Sequence, residues 1–302
     1  MKVVFEPVTF NLQLATIMTE TSLTKELLPE TILLRPTRGW TALNLGDLWR
    51  YRELIYFLTW RDIKVLYKQT VLGAAWAVLR PVITMIVYSL IFGQLANLDS
   101  QGVPYPIFTY VALLPWQLFS KAMTDTGRSM VSNRNMITKI YFPRLVIPVA
   151  TVLSGLVDFF IAFVILIGMM FYYKIPLTPA IWTLPLFLLL TMVTALGVGL
   201  WFSSLNVLYR DVGYVLPFLT EMWKYLTPVA YSAGYITGMW KIIYSLNPMA
   251  GVVEGFRWAL LGIPLDPSAN VTMSISIGVA IVVLVTGLFY FRRMERTFAD
   301  MV

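Results

Sequence analysis

The 302-residue chain contains neither cysteine nor histidine. Thiol nucleophiles, disulfides, Cys/His zinc sites and imidazole acid–base chemistry are therefore excluded together. Charge is scarce as well: Asp, Glu, Lys and Arg make up 13% of residues, against about 25% in a soluble domain. Residues 1–46 have no apolar run of signal-peptide length, and Glu6, Glu20, Glu26 and Glu30 are scattered through them. The N-terminus is expected to be retained and cytoplasmic. Self-similarity between the halves is also missing, which argues against a secondary transporter built from inverted repeats. A symmetric pathway would then come from two copies of the chain, as a homodimer.

What is present is apolar. Hydrophobic residues make up 58% of the chain and the mean hydropathy is +0.72, which reads as an all-α integral membrane protein. A bilayer core needs about 20 predominantly apolar residues per helix. Six segments come near this: 82–98, 103–120, 145–170, 181–205, 213–232 and 271–291. Between the last two, residues 233–266 are interrupted by Gly234, Gly238, Pro248, Gly251, Gly255, Gly262 and Pro264. The apolar pieces there are too short to cross, so short re-entrant or interfacial helices are expected before the last span.

The net charge of +7 matters less than its placement. With the N-terminus inside, the inner segments hold the basic residues up to Arg80, then Lys121, Arg128, Arg134, Lys139, Arg144, Arg210, Arg292, Arg293 and Arg296. The outer ones hold Lys174, Lys241 and Arg257, and Lys224 falls within the fifth span. Lysine and arginine accumulate on the cytoplasmic side, so both termini are expected there.

Ahead of the first span, residues 47–72 read as an amphipathic helix at the membrane interface, with Asp47 as its N-cap. Arg61, Lys64 and Lys68 recur along one face, and Ile63, Leu66 and Tyr67 supply apolar surface. An ordinary surface helix would show the same pattern; the position directly before a span favours the interface.

Three features are candidates for function. The basic loop from Arg128 to Arg144 is longer than a connection requires. Its Asn133, Arg134, Asn135 and Lys139 suit docking of a soluble partner, or equally a plain cytoplasmic anchor. Aromatics make up 15% of residues. Of these, Trp76, Tyr88, Phe92, Trp116, Phe119, Trp223, Tyr225 and Tyr231 suit stacking on the C–H faces of sugar rings, while interfacial belts and lipid contact explain the same composition. Finally, acidic residues within apolar segments call for partners. Glu221 has Lys224 and Glu254 has Arg257 three residues later, spaced for local ion pairs; Asp158 has none in sequence.

Several runs together carry a specific resemblance: WRDIKVLYKQTVLGAAWAVLRP from Trp60, GVPYPIFTYVALLPW at 102–116, NMITKIYFPRLVIP at 135–148, LNVLYRDVGYVLPF at 205–218 and LNPMAGVVEGFRWALLG at 246–262. In this order they resemble the permease subunits of type-2 ATP-binding-cassette exporters of polysaccharides, most closely those that export lipid-linked O-antigen, over about residues 35–292. The resemblance implies six spans per subunit (domain 73–292), an N-terminal extension (1–46), the interface helix (47–72) and a cytoplasmic tail (293–302). It further implies a bacterial inner-membrane location, two permeases, two ATPase subunits that bind ATP and Mg, and a channel at the permease dimer interface. No cofactor or metal is expected in this chain, and no catalytic residue. Arg128, Asn133, Arg134, Asn135, Lys139, Pro143 and Arg144 would form the ATPase-coupling segment. Tyr209, Arg210 and Asp211 lie at a short inner turn that reads as an inner gate, an ATPase contact or a simple polar turn, and the resemblance implies that 233–266 would be the outer gate. The sequence has no GxxxxGK[ST] phosphate loop, in agreement with hydrolysis by a separate polypeptide. Export of teichoic acid or capsular polysaccharide is the alternative within the family. A membrane enzyme of glycan assembly acting through Asp158, Glu221 or Glu254 fits less well, since a polar cluster with paired carboxylates is lacking; a passive channel or ion-driven transporter, which would not need an ATPase, is the third reading.

Overall fold

The computed structural model describes residues 45–68, 73, 75–236, 238–265, 269–295 and 298. The chain divides at Ala42–Leu43; residues 1–44 of the expected extension, 69–72 of the expected interface helix and most of the tail lie outside the described residues. Among the described residues every regular element is a helix.

Helices α1 (Leu45–Arg50) and α2 (Arg52–Lys68) meet at a break at Tyr51. Asp47 falls inside α1 rather than at its N-cap, because the helix starts at Leu45. Leu58 is the buried anchor of α2, and the Thr59 hydroxyl donates to the Ala150 carbonyl at 3.4 Å.

Among the described residues four helices are long and apolar enough to cross a membrane: α3 (Ala75–Leu95), α6 (Val146–Tyr172), α7 (Pro179–Leu208) and α11 (Ala269–Met294). Their lengths of 21, 27 and 30 residues, and 25 for α11 counted from Asn270, exceed what a hydrocarbon core of about 30 Å requires at about 1.5 Å per residue. They correspond to the expected first, third, fourth and sixth spans. Helix α3 starts seven residues before the expected 82, because Pro81 is accommodated within it.

The other two expected spans differ. Helix α4 (Tyr105–Ser132) is 28 residues long and continues well past the expected end at Ser120. Lys121, Asp125 and Arg128 end the apolar run without ending the helix, since none of them breaks backbone hydrogen bonding. Helix α8 (Val212–Leu226) has 15 residues, about 22 Å of rise against a core of about 30 Å. The expected 213–232 span is thus not a single helix; it stops at Leu226 and continues as turns. The connection from α4 to α6 contains one short helix, α5 (Arg134–Ile137).

The glycine-rich stretch holds α9 (Met239–Ser245) and α10 (Pro248–Leu261). Asn247 caps α10, its side chain accepting from the Met249 N–H at 3.1 Å, and Pro248 follows at the position where its missing N–H costs nothing. Gly262, at φ +67°, ends the helix in the left-handed conformation that glycine adopts freely.

Helix α4 is the axis of the packing, touching α3, α6, α7, α8 and α10. Phe108, Tyr110, Leu113, Phe119 and Met123 fill one core with Phe159, Leu166 and Phe256. A second core gathers Leu58, Met130, Ile137, Phe142, Ile147, Phe291 and Phe298 around the far end of α4. Helices α7 and α11 cross closely: a Cβ on Gly287 would lie 2.4 Å from the Gly197 carbonyl oxygen. Glycine here lets two apolar helices approach backbone to backbone, where the bilayer supplies little driving force for association.

Candidate functional site

A groove of about 690 Å³ opens between α2, α3, α4, α6 and α8. The indoles of Trp76 and Trp116 line it together with Arg80, Lys121, Asp125, Asp158, Glu221 and Lys224. Helix α4 supplies this polarity because Gln117, Lys121 and Asp125 recur at intervals of four on one face.

Asp158 finds the partner that sequence spacing could not provide. The Lys121 ammonium lies 2.5 Å from its Oδ2, and the two side chains are 25% and 24% exposed. The Tyr67 hydroxyl donates to Oδ1. Burial first, and then the adjacent carboxylate, push the Tyr67 phenol above its ordinary range, which keeps the hydroxyl a donor. One carboxylate on α6 thereby ties α2 and α4 together across the wall of the groove.

Glu221 and Lys224 form the local pair expected of their spacing, at 2.5 Å. The carboxylate side chain is 61% exposed and the lysine 15%, so the acid faces outward and the ammonium is tucked behind it, 5.5 Å over the Tyr225 ring. Arg257 reaches beyond its own helix. It donates to the carbonyls of Val229 at 2.9 Å, Tyr231 at 3.1 Å and Phe108 at 3.4 Å, with its guanidinium 3.6 Å over the Phe108 ring. It therefore fastens α10 to α4 and to the turns that follow α8.

The aromatic candidates separate into two groups. Trp76 and Tyr225 are exposed, at 53% and 55%; Phe92 and Tyr231 are half-buried. Tyr88, Trp116 and Phe119 are buried in this chain's own core. Phe119 packs 5.4 Å from Trp116 and edge-on to Trp223 at 5.1 Å, and Tyr88 packs edge-on against Phe92 at 5.4 Å. Of the three buried rings, only Trp116 also reaches the groove wall.

At the far end of α4 the structure brings together residues that lie far apart in sequence. The Arg128 guanidinium donates to the Gly213 carbonyl at 2.6 Å, and the Asn206 amide to the Gly127 carbonyl at 3.2 Å. The exposed turn of Tyr209, Arg210 and Asp211 is thus attached to the start of the basic segment. Arg61 donates to Asn133 at 2.9 Å, joining α2 to the same segment. Arg134, Asn135 and Lys139 are exposed at its tip, while Ile137 and Phe142 turn inward as anchors. Pro143 offers its carbonyl to the Val146 N–H at 3.0 Å. The Arg144 N–H donates to the Glu295 carboxylate at 3.2 Å and its guanidinium to the Glu295 carbonyl, so the chain's end holds the segment's exit.

Sequence reasoning missed Ile140 and Tyr141, which stand 62% and 75% exposed beside Lys139, and Arg61 and Glu295 as tethers. An apolar pair within a basic loop was a readable signal. The tethers carried none, because their partners lie 72 and 151 residues away.

The groove and the tethered tip both fall within residues 53–261, which match the family model described as ABC-2 type transporter. The chain belongs to this family. As an ABC-2 permease it is a transport subunit of the membrane. Similarity to individual proteins covers most of the chain. The O-antigen export system permease protein RfbA of Klebsiella pneumoniae is 28% identical over 260 residues, 85% of this chain and 96% of its own length. The protein of the same name from Myxococcus xanthus is 27% identical over 257 residues, 84% and 97% of the two chains. The polysialic acid transport protein KpsM of Escherichia coli is 24% identical over 243 residues, 78% and 91%.

Proposed function

We propose that the chain is the membrane-spanning subunit of an ATP-driven exporter that moves a lipid-linked, O-antigen-like polysaccharide from the cytoplasm to the periplasm. Two copies would assemble in the bacterial inner membrane with two ATPase subunits that bind ATP and Mg. Each copy would cross the bilayer six times, with α4 and the α8 region joining the four apolar helices and both termini cytoplasmic; α9 and α10 would form an outer gate. What carries this reading is a groove walled by indoles and charged side chains in an otherwise apolar helical layer. Sugar C–H faces stack on indoles and sugar hydroxyls bond to carboxylates and ammonium groups, so a polymer can slide without one deep site.

Coupling would run through the tip at Arg134, Asn135 and Lys139. ATP closing the partner dimer would move the tip, and the Arg128–Gly213 and Arg61–Asn133 contacts would pass that movement to α8 and α2 as a shift between two populations. The similarity to a polysialic acid transport protein keeps capsule export as the second reading.

Deleting the chain in its host tests the proposal. Loss of surface polymer with lipid-linked polymer accumulating inside supports it. Absence of polymer everywhere points to synthesis instead, and an unchanged surface refutes it.

A further inference from the structure

A second surface lies on α2, apart from the groove. Phe57, Trp60, Arg61, Lys64, Val65 and Lys68 recur at intervals of three and four and line a notch of about 410 Å³. Among the described residues its lining holds three cations and no carboxylate. Helix α2 itself carries two acids: Glu53, in its first turn, and Asp62, which Arg61 holds at 2.7 Å. With Asp62 cancelling Arg61, two positive charges remain at the notch. Lys64 and Lys68 are exposed and take part in no ion pair among the described residues. The Lys64 ammonium lies 5.3 Å over the Trp60 ring, and Trp60, Phe57 and Val65 all stand exposed. Uncompensated charge thus adjoins uncovered apolar surface.

The depth of the notch says what covers it. Thr59 donates to the Ala150 carbonyl and Tyr67 to Asp158, so α2 runs beside α6 with Lys64 between these two levels. Asp158 pairs with Lys121. Lys121 lies about 24 Å of rise from the start of α4 at Tyr105, and Asp158 about 21 Å from the end of α6 at Tyr172. Tyrosines suit an interface. Counted from these two, Asp158 and Lys121 lie most of the way across a core of about 30 Å, and the notch falls at the headgroup zone beyond them.

We propose that the notch binds the headgroup of an anionic glycerophospholipid, with its phosphodiester between the Lys64 and Lys68 ammonium groups and its acyl chains against Trp60, Phe57 and Val65. A zwitterionic lipid brings an ammonium that no carboxylate of the lining receives. The phosphate of a polymer's own lipid carrier offers the same chemistry, but the notch shares no lining residue with the indole-walled groove, which favours bulk lipid. The site does not depend on the nature of the polymer.

The test uses the purified full chain in an uncharged detergent with equimolar phosphatidylglycerol and phosphatidylcholine of identical acyl chains. Native mass spectrometry counts each lipid retained. A lysine beside an anionic headgroup contributes about fivefold; the parent chain should therefore retain phosphatidylglycerol in about tenfold excess, and Lys64→Gln with Lys68→Gln should lower that excess about fivefold or more. Both side chains are exposed and the contacts of Thr59, Arg61 and Tyr67 are untouched, so the variant should run as the parent on gel filtration. Arg50→Gln with Arg52→Gln removes as much charge outside the notch and should keep the excess within about twofold. Equal retention of both lipids by the parent overturns the proposal. An unchanged excess in the lysine variant, or an equal loss in the arginine variant, shows diffuse attraction and overturns the assignment to the notch. A polyprenyl diphosphate added in equal amount should leave phosphatidylglycerol bound; its displacement would identify the carrier as the occupant and overturn the choice of bulk lipid.

Discussion

Removing one partner of the Lys121–Asp158 pair should cost more than removing both. The ammonium–carboxylate distance is 2.5 Å and each side chain is about three-quarters buried, which places the pair between an exposed one, worth about 0.2–1 kcal/mol, and a fully buried one, whose breakage costs about 3–5 kcal/mol. About 2 kcal/mol is expected for Asp158→Asn or Lys121→Met, because each strands the opposite charge in the groove wall. The amide oxygen introduced by Asp158→Asn still accepts from the Tyr67 hydroxyl, so the loss in that variant separates the charge from the phenol hydrogen bond. The double variant Asp158→Asn with Lys121→Met strands nothing and should be no worse than either single one, a coupling of about 2 kcal/mol. Thermal unfolding of the purified protein in detergent, at one scan rate because membrane proteins unfold irreversibly, reads this out. At about 2 °C per kcal/mol for a chain of this size, each single variant should lose about 4 °C. A double variant losing the sum of the two single losses would show that the charges are independent and that the pair does not clamp α4 to α6.

Two further outcomes follow from the same contacts. Replacing Arg134 and Lys139 together by alanine removes two exposed cations from the tip and no core contact, so insertion should be normal and export at least tenfold lower; normal export by the doubly substituted protein would remove the tip as the transmission point. Gly287→Val places a Cβ 2.4 Å from the Gly197 carbonyl oxygen, beyond the roughly 1–3 kcal/mol of ordinary overpacking, and should sharply reduce folded protein in the membrane. Gly278→Val, on the same helix with open space around it, should stay within about twofold of the parent by fluorescence-detected gel filtration.

The apolar runs of α3, α6, α7 and α11 were legible because span length is set by bilayer thickness and composition alone. The two that differed failed for a common reason. In α4 the hydropathy falls at Lys121 while the backbone continues as helix to Ser132; in α8 the hydropathy continues past Leu226 while the helix stops. Hydropathy reports which solvent a residue prefers, and helix continuity reports backbone hydrogen bonding. The two coincide where a helix is surrounded by lipid and separate where it is surrounded by protein. Helix α4 is in the second situation, with 18 of its 28 residues buried against other helices, so its polar residues are tolerated wherever a neighbour satisfies them.

The site shows the same division between local and long-range information. Glu221 and Lys224 were found from spacing because both lie on one helix. Asp158 looks unpaired in the sequence because its partner is on α4, 37 residues earlier, and spacing alone does not show that the Arg257 guanidinium bridges carbonyls 26, 28 and 149 residues away. A charge buried among helices is stabilised by whatever donors and acceptors packing brings to it, and the cost of leaving it unmatched is what fixes that packing. Asp158, conspicuous in the sequence as a charge within an apolar segment, is therefore a sign of tertiary contacts. What the sequence withheld was the address of the partner, and that address is what turns Lys121, Asp158 and Tyr67 from three scattered residues into one wall of the groove.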